Sequence, residues 1–469
     1  MSKEKSEMQE LEEELSFESK SAWLEDIDEE EVKEFAEDYK EFLSSAKTER
    51  EAVEAIRAEA DDEGFVSIED LDSFEEGKKV YAVNREKGII LAKLGEGLEE
   101  GAKITISHID SPRLDLKQKP LYEDSDVAVM DTHYYGGIKN YHWVNVPLAL
   151  HGVVIDGEGD KHEITIGEEE DDPLFVVPDL LPHLGKEQLK KELKEAIEGE
   201  ELNIVVGNIP VDDEDVEERV KLQVLKYLDE EYDLGEEDLV SAEFEAVPAI
   251  DARDLGFDRS MVASYGQDDR GPSFAALEGI LDSEPDKTAI ACFYDKEEIG
   301  SEGNTSAQGK FVEKFVTELL GLEGVDERYS TMNHVFDSSE VLSADVSAAV
   351  NPTFKDVHDQ KNAINLGQGV ALVKFTGSGG KYSANDANAE FVGKVRRVFN
   401  EEDIPWQPVE LGKVDKGGGG TLAKFFARRG AEVVDVGFGL LSMHSPYEIS
   451  SKVDVYSTFK GFRGFFESS

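Results

Sequence analysis

Two adjacent carboxylates, Glu297 and Glu298, follow an apolar, strand-like run, Thr288-Ala289-Ile290-Ala291-Cys292-Phe293, and stand just before Gly300. On an extended or turning backbone, neighbouring side chains point to opposite sides. Two adjacent glutamates can therefore do different work: one ligates a metal ion while the other, unligated, faces a water beside it. Hydrolysis by metal-activated water needs this division, with ligands for the ion and a free carboxylate to move the proton. In a chain with 105 acidic residues, a bare Glu-Glu pair reads more simply as a solvated turn. The chemistry depends on what else the sequence supplies.

Four further stretches carry the right residue types. Ser107-His108-Ile109-Asp110-Ser111-Pro112 ends a strand candidate. His and Asp two apart on an extended backbone project to one side, so His108 can meet a metal while Asp110 orients a neighbouring group. Gln267-Asp268-Asp269-Arg270-Gly271 precedes a helix. One of its aspartates can cap that helix, which leaves Asp268 or Asp269 as a ligand. Ser343-Ala344-Asp345-Val346 sets a third acidic group among small residues, and Leu441-Ser442-Met443-His444-Ser445 offers a second histidine. Each stretch alone has a plain structural reading as a cap, a turn or a satisfied histidine. The ordered set suits a pair of zinc-like divalent ions sharing a carboxylate, and cobalt or manganese also accept such N/O ligation.

Something must gather these groups. Strand and helix patterns alternate on both sides of residues 113–245, which predicts an α/β sheet with its strand ends converging on one edge. Trp23 to about Ser45 has helical spacing, and Thr48-Glu49-Arg50-Glu51 fits a capping box that opens a second helix. Strands are expected at 79–84, 88–94, 103–107, 369–375 and 432–436, and helices at 311–320, 391–399 and 422–427. Residues 1–20 are expected to fray. The middle changes character: strands at 151–155, 162–167 and 202–206, charged helices at 185–198 and 213–230, and an aromatic, glycine-rich loop at 132–138. It reads as a domain, 113–245, inserted between two parts of a larger one, 1–112 and 246–469. Lys374, Lys381 and Tyr382 flank a glycine-rich segment. The run Gly417-Gly418-Gly419-Gly420-Thr421 lacks the Gly-Lys-Ser/Thr end of a phosphate loop.

Composition sets the limits. With 469 residues, 39% of them hydrophobic, the chain can bury two or three cores. Net charge is −56, which argues against nucleic acid or an anionic membrane as partner. The acidic excess is spread along the chain, as expected of adaptation to high intracellular salt. No window resembles a signal peptide or membrane span. The single cysteine, Cys292, rules out an intrachain disulfide and fits a reducing cytoplasm.

Taken together, Ser107–Pro112, Tyr294-Asp295-Lys296-Glu297-Glu298-Ile299-Gly300-Ser301, Ser343-Ala344-Asp345 and Ser442-Met443-His444-Ser445 resemble the signature stretches of the aspartyl aminopeptidase family. The resemblance runs from about residue 30 to 460 and includes the Tyr135-Gly136-Gly137-Ile138 loop, whose long 141–150 continuation looks like the bacterial branch. It implies a mixed-sheet α/β/α metallopeptidase domain with an inserted, mainly β dimerisation domain. It also implies two divalent metal ions, most simply zinc, and removal of the first residue from peptides with a free N-terminus. By the same resemblance His108 would bind one ion and His444 the other, Asp268 would bridge them, and Glu298 and Asp345 would complete the shells. Glu297 would be the general base toward the attacking water, with Asp110 in support, and Lys374, Lys381 and Tyr382 would line the substrate pocket. Members form homo-oligomers built from dimers, up to dodecameric shells. Two rivals stay open from the residues: a related metallo-exopeptidase or deacylase on other amides, and a catalytically silent oligomeric scaffold.

Overall fold

The computed structural model describes residues 6–325 and 327–469. Its frame is a nine-stranded mixed sheet ordered Val66–Ser67, Lys79–Val83, Ile89–Lys93, Ala289–Tyr294, Lys103–His108, Glu340–Ala344, Glu432–Gly437, Val370–Val373, Trp406–Val409. The strands at 289–294, 103–108, 340–344 and 432–437 run parallel side by side. Parallel strands need both faces covered, and the sequence provides for this at period two. Ile290, Cys292, Ile104, Ile106, Val341 and Val433 face one core, packed under helices Phe311–Glu323 and Tyr329–Asp337. Ala289, Ala291, Phe293, Leu342 and Val434 face the other.

That second layer holds helices Glu29–Ser45, Glu49–Asp62, Gln267–Leu281, Ala389–Glu401 and Lys452–Glu467. Helix Glu49–Asp62 starts with the capping box, Thr48 and Glu51 each accepting the other's backbone N–H. Phe274 sits among Phe35, Tyr39 and Phe42, with ring centroids 5.2, 5.5 and 5.4 Å away. Cys292 is buried in its strand, and burial pushes its thiol up to about 12.

A second, antiparallel sheet of six strands is built from residues between 113 and 248, in the order Lys161–Ile166, Leu148–Ile155, Glu243–Pro248, Arg113–Asp124, Val127–Tyr135, Ile204–Gly207. It has its own core around Leu114, Trp143, Leu148, Val154, Ile164 and Phe244. A three-stranded sheet, Arg253–Leu255, Met261–Ser264 and Glu448–Ser451, ties the chain after the small sheet to the C-terminal helix.

Several expectations need correction. Residues 1–5 lie outside the described residues, but Glu7–Leu15 is a helix rather than a frayed end, closed by a capping box between Ser6 and Gln9. The long charged helix expected at 185–198 is two short turns, Gln188–Lys190 and Leu193–Ala196; its leucines find no face to pack on, and Leu184, Leu189 and Leu193 are exposed. The other charged helix begins six residues late, at Arg219. The strand Arg113–Asp124 went unseen because a register shift between Leu116 and Leu121 breaks its alternation and Pro120 interrupts it. Thr132–Tyr135, read as loop, closes the strand Val127–Tyr135.

Candidate metal centre

The four parallel strands deliver their C-terminal ends to one edge, and the chemistry-bearing stretches lie there. His108 is the last residue of its strand. Glu297 and Glu298 open a 3₁₀ turn after Ala289–Tyr294, flanked by left-handed Lys296 (φ 70°) and Gly300 (φ 94°). Asp345 follows Glu340–Ala344. Asp268 and Asp269 start the helix behind the sheet, joined by a cis peptide. His444, at φ 62°, lies between the strands Gly439–Leu440 and Glu448–Ser451.

These side chains form two overlapping groups. Ligand-type atoms of His108, Asp268, Asp269 and Asp345 lie within 4.8 Å of one another, and so do those of Asp268, Glu298 and His444. Asp268 belongs to both: its Oδ1 is 3.6 Å from His108 Nε2 and its Oδ2 is 3.1 Å from His444 Nε2. Glu298 Oε1 lies 3.6 Å from His444 Nε2.

Hydrogen bonds set each imidazole. His108 Nδ1 is 3.0 Å from the Asp110 carbonyl and His444 Nδ1 is 2.6 Å from the Gly137 carbonyl. A donor role at Nδ1 leaves each Nε2 facing Asp268, as a proton donor to the carboxylate or, with that proton gone, as the atom that a metal-binding histidine offers. Asp110 is fully buried; its Oδ1 accepts the Glu297 N–H at 3.0 Å and its Oδ2 the Glu298 N–H at 3.2 Å. Gly136 and Gly137 bring the small sheet's loop against the cluster. A Cβ on Gly136, itself at φ 73°, would lie 3.2 Å from Glu298, and one on Gly137 would lie 3.3 Å from His444 Nδ1.

The electrostatics ask for positive charge. Burial first, then neighbouring carboxylates, push Glu298, Asp269 and Asp345 well above the ordinary carboxyl range. Burial also raises Glu297; Asp110 and Asp268 add to this, while His108 and Lys424 oppose it. For Asp268, burial is outweighed by hydrogen bonds from His108 and His444, which hold it below the usual aspartate value. Burial lowers both histidines, but the carboxylates win: His108 is raised, and His444 reaches about 10. Buried like charges must be compensated by protons or by a cation. Two buried oxygens in the cluster, Asp269 Oδ1 and Glu298 Oε1, have no hydrogen-bond partner among the described residues. The mixed imidazole and carboxylate donors fit divalent cations of the zinc type.

The seven residues from His108 to His444 named by the sequence reading converge here; Glu297 and Asp110 lie beside the ligand-type atoms rather than among them. Lys374, Lys381 and Tyr382 make their contacts elsewhere. Both lysines bind Asp386, at 2.8 and 3.0 Å, Lys381 lies 3.8 Å from the centre of the Phe375 ring, and Tyr382 is 75% exposed. Sequence reasoning gave no role to Glu448. This buried carboxylate accepts the Asp268 N–H at 3.1 Å and the His444 N–H at 2.7 Å, and so ties the start of the helix to the His444 turn. The available signal was its place four residues after His444. Lys424, whose charge reaches Glu297, had only a position after the glycine run.

Comparison with known proteins places the chain in a family. Residues 42–466 match the family model described as aminopeptidase I zinc metalloprotease (M18). The chain is 49% identical to the protein named "Probable M18 family aminopeptidase 1" of Thermotoga maritima, covering 97% of this chain and 100% of that one. The protein of the same name from Clostridium acetobutylicum is 47% identical, over 96% and 98%. The crystal structure of an M18 family aminopeptidase from Thermotoga maritima superposes with a TM-score of 0.95 at 48% identity, covering 97% of this chain and all of that one. Sequence, fold and the family match agree along nearly the whole length, and the chain belongs to the M18 family of zinc metallo-aminopeptidases.

Proposed function

We propose that this aminopeptidase holds two divalent ions, zinc in the first instance with cobalt or manganese as substitutes, and that Glu297 is its general base. His108 and Asp345 would hold one ion, with Asp269 beside them; Glu298 and His444 would hold the other; Asp268 would serve both. The observation that carries this reading is the overlap of two ligand-type groups in Asp268. When bound, such ions polarise a peptide carbonyl and make water acidic enough to attack near neutral pH.

The chain's own residues then do the rest. Glu297 lies outside both ligand groups, and burial raises its proton affinity above that of an ordinary glutamate. It is therefore suited to take a proton from the attacking water and return it to the departing amine. Asp110 holds the backbone of the Glu297-Glu298 turn, so the base and its neighbour keep their separate directions. His444, whose side chain is 35% exposed, is the open side of an otherwise buried cluster, and a peptide N-terminus would enter there. Lys374, Lys381 and Tyr382 would line the outer part of the substrate pocket, the two lysine charges shared with Asp386.

Peptides with a free N-terminus are the substrate class that follows. The net charge of −56 disfavours nucleic acid, and no described helix is long and apolar enough to cross a membrane. A reducing cytoplasm suits a chain whose one thiol is buried. The segment 113–245 would act as a dimerisation domain in a homo-oligomer. A yeast mApe1 solved as a dodecamer shares the fold at 21% identity, which supports looking for a large assembly.

The test is turnover of aminoacyl anilides and dipeptides by wild type and Glu297→Gln, loaded with zinc, cobalt or manganese. The isosteric amide keeps the backbone bond to Asp110 and removes the proton acceptor, so kcat should fall about 10²–10⁴-fold with metal content unchanged. Turnover of N-acylated substrates alone would turn the reading to a deacylase, and failure to bind metal would favour a silent scaffold.

A further inference from the structure

The Glu297-Glu298 turn has little internal support. Its own bonds are Gly300 N–H to the Glu297 carbonyl at 2.8 Å and Ser301 N–H to the Lys296 carbonyl at 2.7 Å. Ser306 and Gln308 hold the carbonyls at its far end, Gly300 and Ser301, but the two glutamates themselves are tied toward His108 by Asp110, which receives both of their N–H groups. A third donor reaches that carboxylate from the small sheet: Tyr135 Oη donates to Asp110 Oδ2 at 2.8 Å.

Tyr135 is itself clamped. It pairs in register with Arg113 on the neighbouring strand. The Arg113 guanidinium lies 4.1 Å from the centre of its ring, a stacking contact that desolvation strengthens. Arg113 is buried and has no freedom of its own, being held by Asp115 at 2.8 Å, Glu245 at 3.1 Å and Glu49 at 3.3 Å. Those carboxylates come from two strands of the small sheet and from the first turn of helix Glu49–Asp62 in the large domain. The contacts run without a gap from the junction of the two domains, through Arg113 and Tyr135, to Asp110 and the two glutamates.

We propose that Tyr135 is a positioning residue for the reaction: its hydroxyl fixes the Asp110 carboxylate, and through it the direction in which Glu297 and Glu298 face the substrate. This rests on the proposed roles of those glutamates. The Tyr135 hydroxyl is engaged by Asp110 and lies outside both ligand-type groups, so its loss should leave binding alone and slow the chemical step.

The experiment compares wild type, Tyr135→Phe and Tyr134→Phe as zinc-loaded full-length proteins. Tyr134 is the 43% exposed neighbour and serves as control. Four quantities are read: kcat, KM, zinc affinity by chelator competition, and Tm. Tyr135→Phe should lose about 10–100-fold in kcat and up to about tenfold in zinc affinity. KM should stay within about twofold, and Tm within about 3 °C. Tyr134→Phe should match wild type. A kcat for Tyr135→Phe within about twofold of wild type overturns the proposal. So does a loss that disappears on cooling, since the residue would then serve stability alone. If Tyr135→Phe does not fold, Arg113→Lys decides: it keeps the charge and removes the planar stack. The same kcat loss at unchanged KM supports the proposal, and unchanged kcat overturns it. Wild type that binds zinc yet releases no N-terminal residue would refute the aminopeptidase mechanism itself, a result distinct from a silent Tyr135→Phe.

Discussion

Metal uptake should be coupled to proton release, and the geometry fixes the sign. Without an ion, burial and crowded carboxylates favour protons on the cluster: Glu298, Asp269 and Asp345 are raised above the usual carboxyl range, and the neighbouring carboxylates raise His444 to about 10. An ion at His444 needs the neutral imidazole, so at least one proton must leave for each ion bound there. Apparent zinc affinity at that position should therefore rise about tenfold per pH unit between roughly pH 6 and 9, and flatten toward the His444 value. A proton lost from Glu298 as well would steepen the slope toward two. The open side of His444 admits water, which trims the absolute offset but not the slope. The same logic governs the metal-free fold. Groups raised on folding contribute stability that is complete below their unfolded pKa and lost as pH climbs through the folded one. Metal-free protein should thus lose Tm from about pH 6 to 9, and zinc should restore it. The assay is chelator competition at stepped pH, with calorimetry in two buffers of different ionisation enthalpy to count protons. Affinity that is flat or falling with pH, or binding without proton release, would refute the reasoning.

Because Lys374 and Lys381 already share Asp386, Lys374→Met should shift KM for an aspartyl substrate by less than about threefold; a tenfold rise confined to acidic first residues would place the lysine on the substrate. With a net charge of −56, Tm should climb by about 5 °C or more between dilute buffer and molar KCl, and unchanged melting with full activity in dilute buffer would exclude a salt-adapted surface. Phe274→Ala, which empties the ring cluster of Phe35, Tyr39 and Phe42, should cost about 3–5 kcal/mol in a urea titration.

The sequence was most readable where one physical pattern dominated. The apolar runs ending at His108 and Tyr294 are short and bounded by turns, so strands followed from their pattern and candidate site residues from their ends, whereas Glu340–Ala344, with one β-branched residue, is a strand that the sequence does not signal. Thr48 and Glu51 announced their helix by capping chemistry alone. Legibility failed where tertiary context decides. The 185–198 stretch has helical composition but nothing to pack against, and Arg113–Asp124 hides its alternation behind a bulge. Glu448 and Lys424 illustrate the same limit in the site. Each is a single charged residue in an acidic chain, and only folding shows that one grips two backbone N–H groups and the other faces Glu297. The substrate role of Lys374 and Lys381 comes from resemblance alone, and their contacts with Asp386 depend on a loop conformation that composition does not encode.

Cys292 has a practical consequence. It is the sole thiol of the chain, sealed between the sheet and a helical layer, with burial holding it at about 12. Maleimides and spin labels react through thiolate at an accessible surface, so the native protein is already a silent background for them. A single cysteine introduced at an exposed position, Tyr382 for instance, would take one probe without removal of the native one. Distances between copies in an assembly, or between that position and a bound peptide, then become measurable by resonance energy transfer or pulsed electron resonance in unperturbed protein.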